Sequence, residues 1–208
     1  MKSKVKSIRQ KDWRISPRHN ALRPRRIRRI RLNKAKLRFL FFTFYFLIFT
    51  SAVSAGMAVQ ACFSPRGKCA GHIVREIGRA EKEILVAVYA FTNEEIAWAL
   101  VKAGQRGVKV QVVVDQEFDA ANESSKKSFL ERQRVPIRRV AGLEKGSGPG
   151  LMHQKFAVID RKVVLTGSYN WTLSAENAND ENLLLFRDAG PLAEEYRKEF
   201  FRLWEKKR

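Results

Sequence analysis

Ile84-Leu-Val-Ala-Val-Tyr-Ala-Phe91 is an uninterrupted apolar run. A run of this length reads as a strand buried on both faces, the kind found in sheets covered by helices. Its neighbours supply those helices. Thr92 or Asn93 is placed to cap a helix that carries Glu94 and Glu95 in its first turn and stops at Gly107. Upstream, Ile73, Val74, Ile77 and Ala80 recur at helical spacing within residues 71–82. Residues 108–115 form a second apolar strand, residues 121–134 an amphipathic helix, and residues 136–140 a short strand. The Gly-rich stretch 143–150 reads as a flexible loop. Residues 156–159 and 163–166 flank Asp160-Arg161-Lys162 as a hairpin, followed by a strand at 181–186 and a closing helix at 191–204. Strands joined by helices predict an α/β domain with a mixed, mostly parallel β-sheet flanked by helices.

Charge is divided unevenly along the chain. The whole sequence has 208 residues, 41 Lys+Arg and 21 Asp+Glu, for a net charge of +20. Residues 1–38 hold 16 of the basic residues against the single acid Asp12, so +15 lies there and only +5 in the remainder. A hydrophobic content of 45% excludes a disordered polyelectrolyte for the whole chain, and two Cys exclude a disulfide-dense scaffold. From Phe39 to Pro65 there is no charged side chain, and residues 39–49 are almost wholly apolar. A basic leader (1–38), a hydrophobic segment (39–59) and small residues around Val53 and Ala55 describe an export signal. A retained membrane anchor is the alternative, since the segment has the ~20 residues a spanning helix needs. In both readings the leader stays cytoplasmic and residues 62–208 form a domain outside the cytoplasm, periplasmic or membrane-anchored. For an exported domain, Cys62 and Cys69 are expected to pair as a disulfide. The alternatives are a zinc site with His72, which is short of a fourth ligand, and lipid modification of Cys62.

The chemistry concentrates in two short segments. In Leu151-Met-His153-Gln-Lys155-Phe-Ala-Val-Ile-Asp160, His153 and Lys155 are two apart and face the same way on a strand. In Leu165-Thr-Gly167-Ser168-Tyr-Asn170-Trp171-Thr, Ser168 and Asn170 share that spacing. A Ser hydroxyl, an Asn amide and a Lys ammonium supply the donors that phosphate oxygens need. Glu181 follows at the start of the next strand. Trp98 and Trp171 are read as core residues rather than base-stacking platforms. The segment 115–119 is read as a loop rim rather than a metal site.

The pattern His153-x-Lys155-x4-Asp160, then Gly167-Ser168-x-Asn170, resembles the signature of the phospholipase D superfamily. It is most similar to the small single-motif members, the bacterial Nuc-type endonucleases and mitochondrial cardiolipin hydrolases. The resemblance covers residues 62–204, including Tyr89-Ala-Phe-Thr and Arg106-Gly-Val. It implies the phospholipase D/nuclease fold and a phosphodiester hydrolase without metal or other cofactor. His153 is then the nucleophile, forming a phosphohistidine. Lys155, Ser168 and Asn170 hold the phosphate, and Glu181 orients a His. Asp160 and Gly167 are structural. The chain has only His19, His72 and His153, so the acid that protonates the leaving group must come from a second copy. The resemblance therefore also implies a homodimer with a shared active site. Nucleic acid is the preferred substrate, with Arg132, Arg134, Arg138, Arg139 and Lys145 as a candidate groove. A phospholipid is the alternative, with Leu143, Leu151 and Met152 as a candidate apolar rim. An inactive, membrane-tethered binding protein is a third reading.

Overall fold

A computed structural model describes residues 56–145 and 148–206. The basic leader and most of the hydrophobic segment lie outside the described residues. A seven-stranded sheet runs through the domain. Its members are β1 (Ala58–Ser64), β2 (Glu83–Val88), β3 (Lys109–Asp115), β4 (Ile137–Val140), β7 (Lys155–Ile159), β8 (Val163–Gly167) and β9 (Glu181–Arg187). Their spatial order is β1-β9-β8-β7-β2-β3-β4. The expected apolar strand is β2, which ends at Val88 rather than Phe91, and all six of its residues are buried.

The two faces are covered by different helices. Ile84, Val86 and Val88 point toward α1 (Cys69–Arg79) and α2 (Glu94–Gln105), packing with Ile73, Ile77, Ile96 and Leu100. Leu85 and Ala87 point the other way, toward Ala193, Phe200 and Leu203 of α6 (Gly190–Trp204). This alternation is the period-two pattern of a strand buried on both sides. Asn93 caps α2 by accepting from the Ile96 N–H at 3.1 Å, with Glu94 and Glu95 in the first turn.

Several expectations need correction. Parallel pairing is confined to β2–β3 and β3–β4, and the other four pairings are antiparallel, so the sheet is mixed but not mostly parallel. Parallel neighbours need a crossover. Crossovers exist only through α2 and through the pair α3 (Gln116–Ala121) and α4 (Lys127–Arg132). That pair replaces the single helix expected over 121–134. Asp115 caps α3, and the Asn122 side chain accepts from the Ser124 N–H at 2.9 Å, a local bond that competes with helix continuation. Segment 115–119, read as a loop, is therefore mostly helix. The Gly-rich loop contains a small ladder, β5 (Glu144–Lys145) against β6 (Gly148–Pro149). Ala58 and Val59, read as the end of the hydrophobic segment, are the first rungs of β1, paired with Arg187 and Phe186. A short helix, α5 (Leu173–Asn177), was not anticipated. Among the described residues no helix is long and apolar enough to cross a membrane.

Cys62 and Cys69 form a disulfide with Cα atoms 5.8 Å apart. It ties the end of β1 to the start of α1. Both sulfurs are thereby used, so the zinc and lipid alternatives fall. His72 instead meets Arg75 Nη2 at 2.8 Å and Gln60 Nε2 at 3.4 Å. Asp160 and Arg161 both have positive φ, 51° and 58°, as a type I′ hairpin turn requires. The Asp160 carboxylate accepts from three consecutive backbone N–H groups, those of Glu81, Lys82 and Glu83, at 2.8–3.0 Å. These bonds outweigh desolvation and hold its pKa below the ordinary 3.8.

Two stability measurements test this account. Asp160→Ala is expected to cost roughly 1–3 kcal/mol in urea unfolding. The Asp160 contribution is present above the ordinary carboxylate pKa and is lost as pH falls through the lowered folded value, so Asp160→Asn should flatten that acid limb. Reducing Cys62–Cys69 should lower stability by about 2 kcal/mol, the loop-entropy contribution of a short closed ring, read as a drop in melting temperature with reductant. An unchanged melt would show that the cross-link constrains nothing.

Candidate active site

The motif residues meet at one end of the sheet. β2 ends at Val88, and β7, running antiparallel, begins opposite it with Lys155. β8 ends there with Gly167, and β9 begins there with Glu181. Strand ends leave side chains with an open side, so this edge can receive a ligand.

His153 lies exposed just before β7. Lys155 Nζ sits 2.8 Å from His153 Nε2 and 3.0 Å from the His153 carbonyl oxygen. An ammonium against that nitrogen favours the neutral ring with its lone pair at Nε2. The His153 pKa is accordingly lowered from 6.5, first by desolvation and then by Lys155, with Asp115 opposing. Lys155 is itself lowered by desolvation, against the charge of Glu181. Tyr89 backs the pair, with its ring edge-on to the imidazole at 4.8 Å and 5.3 Å beneath Lys155 Nζ.

The second segment forms the adjoining wall. A Cβ at Gly167, φ +150°, would collide with the backbone oxygen of Asn182, so only glycine allows the turn into Ser168. Ser168 Oγ accepts from the Asn182 N–H at 3.0 Å, leaving its own hydroxyl hydrogen free to donate. Between Ser168 and Asn170, Tyr169 is buried, and its hydroxyl donates to Glu176 at 2.6 Å, pinning the loop. Burial and the Glu176 charge raise the Tyr169 pKa. Asn170 Oδ1 is enclosed without a hydrogen-bond partner among the described residues.

Some expected residues behave differently. Glu181 accepts from Asn179 Nδ2 at 3.1 Å and acts electrostatically on Lys155; among the described residues no hydrogen bond joins it to His153. Of the expected basic groove, the side chain of Lys145 lies outside the described residues and the four arginines are spread apart. Arg132 and Arg134 precede β4 and so lie at the end of the sheet opposite the site. Arg138 donates to the Trp204 carbonyl, and Arg139 pairs with buried Asp119. Of the expected apolar rim, Met152 is buried, while Leu143 and Leu151 are exposed. Phe63, opposite Asn182 across β1–β9, and Leu173, just after the Asn170 loop, are exposed on the same edge. Trp171 is buried edge-on against Phe91, as expected of a core residue, whereas Trp98, also read as core, is exposed at the surface and packs only one side on Phe129. Among the described residues no cluster of three metal-ligating side chains occurs. Sequence reasoning missed Asp115, Glu176 and Asn182. The only signal for Asp115 is its place at the end of a buried strand just before a helix.

Comparison with known proteins agrees with this arrangement. Residues 73–204 match the family described as "Cardiolipin synthase, PLD-like domain". The chain is 36% identical over 143 residues to a phospholipase D of Rickettsia prowazekii, covering 69% of this chain and 66% of that protein. It is 38% identical over 127 residues to the mitochondrial cardiolipin hydrolase of Xenopus laevis, covering 61% and 56%. It thus spans between a little over half and just under two thirds of these relatives' lengths. In structure it superposes on Nuc of Salmonella typhimurium with a TM-score of 0.66 and 28% identity, over 73% of this chain and 97% of Nuc. The chain belongs to the phospholipase D superfamily, within its cardiolipin synthase-type PLD-like domain family.

Proposed function

We propose that this chain is a phosphodiesterase that works through a phosphohistidine on His153. The observation that carries this reading is Lys155 Nζ lying 2.8 Å from His153 Nε2 on an open strand edge. The neutral imidazole attacks phosphorus while the ammonium compensates charge on the phosphoryl oxygens. Ser168 and Asn170 supply further polar groups. The leaving alkoxide takes a proton from His153 of a second copy, which then activates the water that hydrolyses the phosphohistidine. All groups that the two half-reactions need are side chains, so no metal is required. The Cys62–Cys69 disulfide supports residence in an oxidising compartment, in keeping with export.

A phospholipid is the preferred substrate class. It is supported by the exposed Phe63, Leu143, Leu151 and Leu173 on the site edge, and by the dispersal of the arginines that were to line a polynucleotide groove. A nuclease is the second reading, favoured by the superposition on Nuc over nearly all of that protein.

His153→Asn should abolish hydrolysis of bis-p-nitrophenyl phosphate, by at least about a thousandfold. A wild-type chain inactive on that ester would leave only the binding-protein reading. Mixing wild-type and His153→Asn subunits in equal amounts should leave about one quarter of the activity if the site is shared, against about half if each chain works alone. For substrate class, turnover of cardiolipin vesicles should fall when Leu143 and Leu151 become Asp, with the soluble ester unaffected. Rapid cleavage of single-stranded DNA that collapses with added salt, and no lipid turnover, would transfer the assignment to the nuclease.

A further inference from the structure

A carboxylate at the end of β3 reaches His153 by two routes. Asp115 is 1% exposed. Its Oδ2 accepts from the Met152 N–H at 2.8 Å, and Met152 immediately precedes the nucleophile. Its Oδ1 accepts from the Phe118 N–H at 2.9 Å, capping α3. The Phe118 ring lies 5.3 Å from that of Tyr89, and Tyr89 in turn lies 4.8 Å edge-on to the imidazole. One oxygen therefore fixes the backbone beside His153. The other fixes the aromatic stack behind its ring.

Capping alone does not account for this residue. A cap needs one oxygen, and Ser, Thr or Asn serves as well. A carboxylate buried to this degree is costly unless its charge is used. The charged and titratable groups that face His153 are Lys155 from β7, Tyr89 beyond β2 and Asp115 from β3, with Glu181 acting on Lys155 from β9. Lys155 favours the neutral ring and Asp115 the charged one.

We propose that Asp115 is a positioning residue for the reaction at His153: it holds the imidazole against Lys155 through Met152 and through the Phe118–Tyr89 stack. The inference rests on the phosphodiesterase reading for its kinetic arm only.

The test compares full-length wild type with Asp115→Asn and Phe118→Ala. Asn can accept one of the two N–H bonds but presents its amide to the other. Asp115→Asn should lower kcat on bis-p-nitrophenyl phosphate roughly ten- to a hundredfold, the scale of a small misplacement of a reacting group. KM should stay within about threefold. The His153 ring should titrate at lower pH by NMR, because an attractive negative charge is gone. Phe118 is only partly buried, so Phe118→Ala should keep its melting temperature, lose kcat, and leave the His153 titration in place, since the charge remains. Wild-type kcat and unchanged titration in Asp115→Asn would overturn the proposal. So would full activity in Phe118→Ala combined with a kcat loss in Asp115→Asn that tracks lost melting temperature. If Asp115→Asn does not fold, Phe118→Ala alone decides. If the wild type hydrolyses no ester, the phosphodiesterase reading fails, while the NMR titration still decides whether Asp115 acts on His153.

Discussion

Asp160 grips three consecutive backbone N–H groups at the start of β2, and that grip sets the register on which the site depends. β7 and β2 are antiparallel neighbours, with Ile84 opposite Ile159 and Val88 opposite Lys155. A slip of one residue would turn every β7 side chain to the other face of the sheet. Lys155 would then point away from its present partners, and Phe156 would leave the core under α6. The turn holding Asp160 lies a strand length away, roughly 15 Å, from the residues whose placement it secures. The Asp160 N–H also donates to the Glu83 carbonyl at 2.9 Å, so the two strands are locked at the turn from both sides. The motif's aspartate therefore serves the chemistry through geometry, never touching the reacting end.

How much of this could be read from sequence depended on how local each determinant is. β2, β3, α2 with its Asn93 cap and the Asp160 hairpin were legible because a run, a cap or a turn signal lies within a few residues. The juxtaposition of His153 with Lys155 was legible for the same reason, being a two-residue spacing on a strand. Pairing direction was not. An apolar strand looks the same in a parallel and an antiparallel neighbourhood, and only the return path after β4 decides that β7 enters from the opposite end. β1 was hidden because its alternating Val59, Ala61 and Phe63 continue a hydrophobic segment without a break in composition. The spread of the arginines was hidden on the same non-local ground. Arg138 and Arg139 have basic side chains in sequence, but the Trp204 carbonyl and buried Asp119 claim them in space.

The two halves of the sheet divide the work. The parallel half, β2-β3-β4, supplies rigid ends: Asp115 at the tip of β3 and Tyr89 just past β2. The antiparallel half carries the groups proposed to react and to face phosphate, at the start of β7 and just beyond β8. A second chain of contacts steadies that half from outside. The Cys62–Cys69 disulfide fixes the start of α1, the Ala70 N–H there donates to Glu176 at 3.0 Å, and Glu176 accepts from the Tyr169 hydroxyl between Ser168 and Asn170. The loop that would face phosphate is thus tied to the cross-link through a single carboxylate.

The shared site proposed above, with two copies of one histidine, would pose a chemical problem on which the surroundings of His153 bear. One ring must be neutral to attack and the other protonated to release the alcohol, although the sequence gives both the same environment. Two equal rings facing one another titrate as a pair, since the first proton bound disfavours the second. Lys155 beside each ring pushes toward the neutral form, while Asp115 pulls toward the charged one. Because these influences act alike on both rings, they set where the pair titrates, while the mutual repulsion of the rings sets the width of the pH range over which the pair holds one proton between them. That singly protonated state contains the nucleophile and the acid at once, and substrate binding need only choose which ring takes which part. The same logic explains why a lysine suits position 155 better than a second histidine would. A group that stays charged across the working range keeps pressing on its neighbour, whereas one that titrated alongside His153 would surrender its influence at the pH where the choice is made.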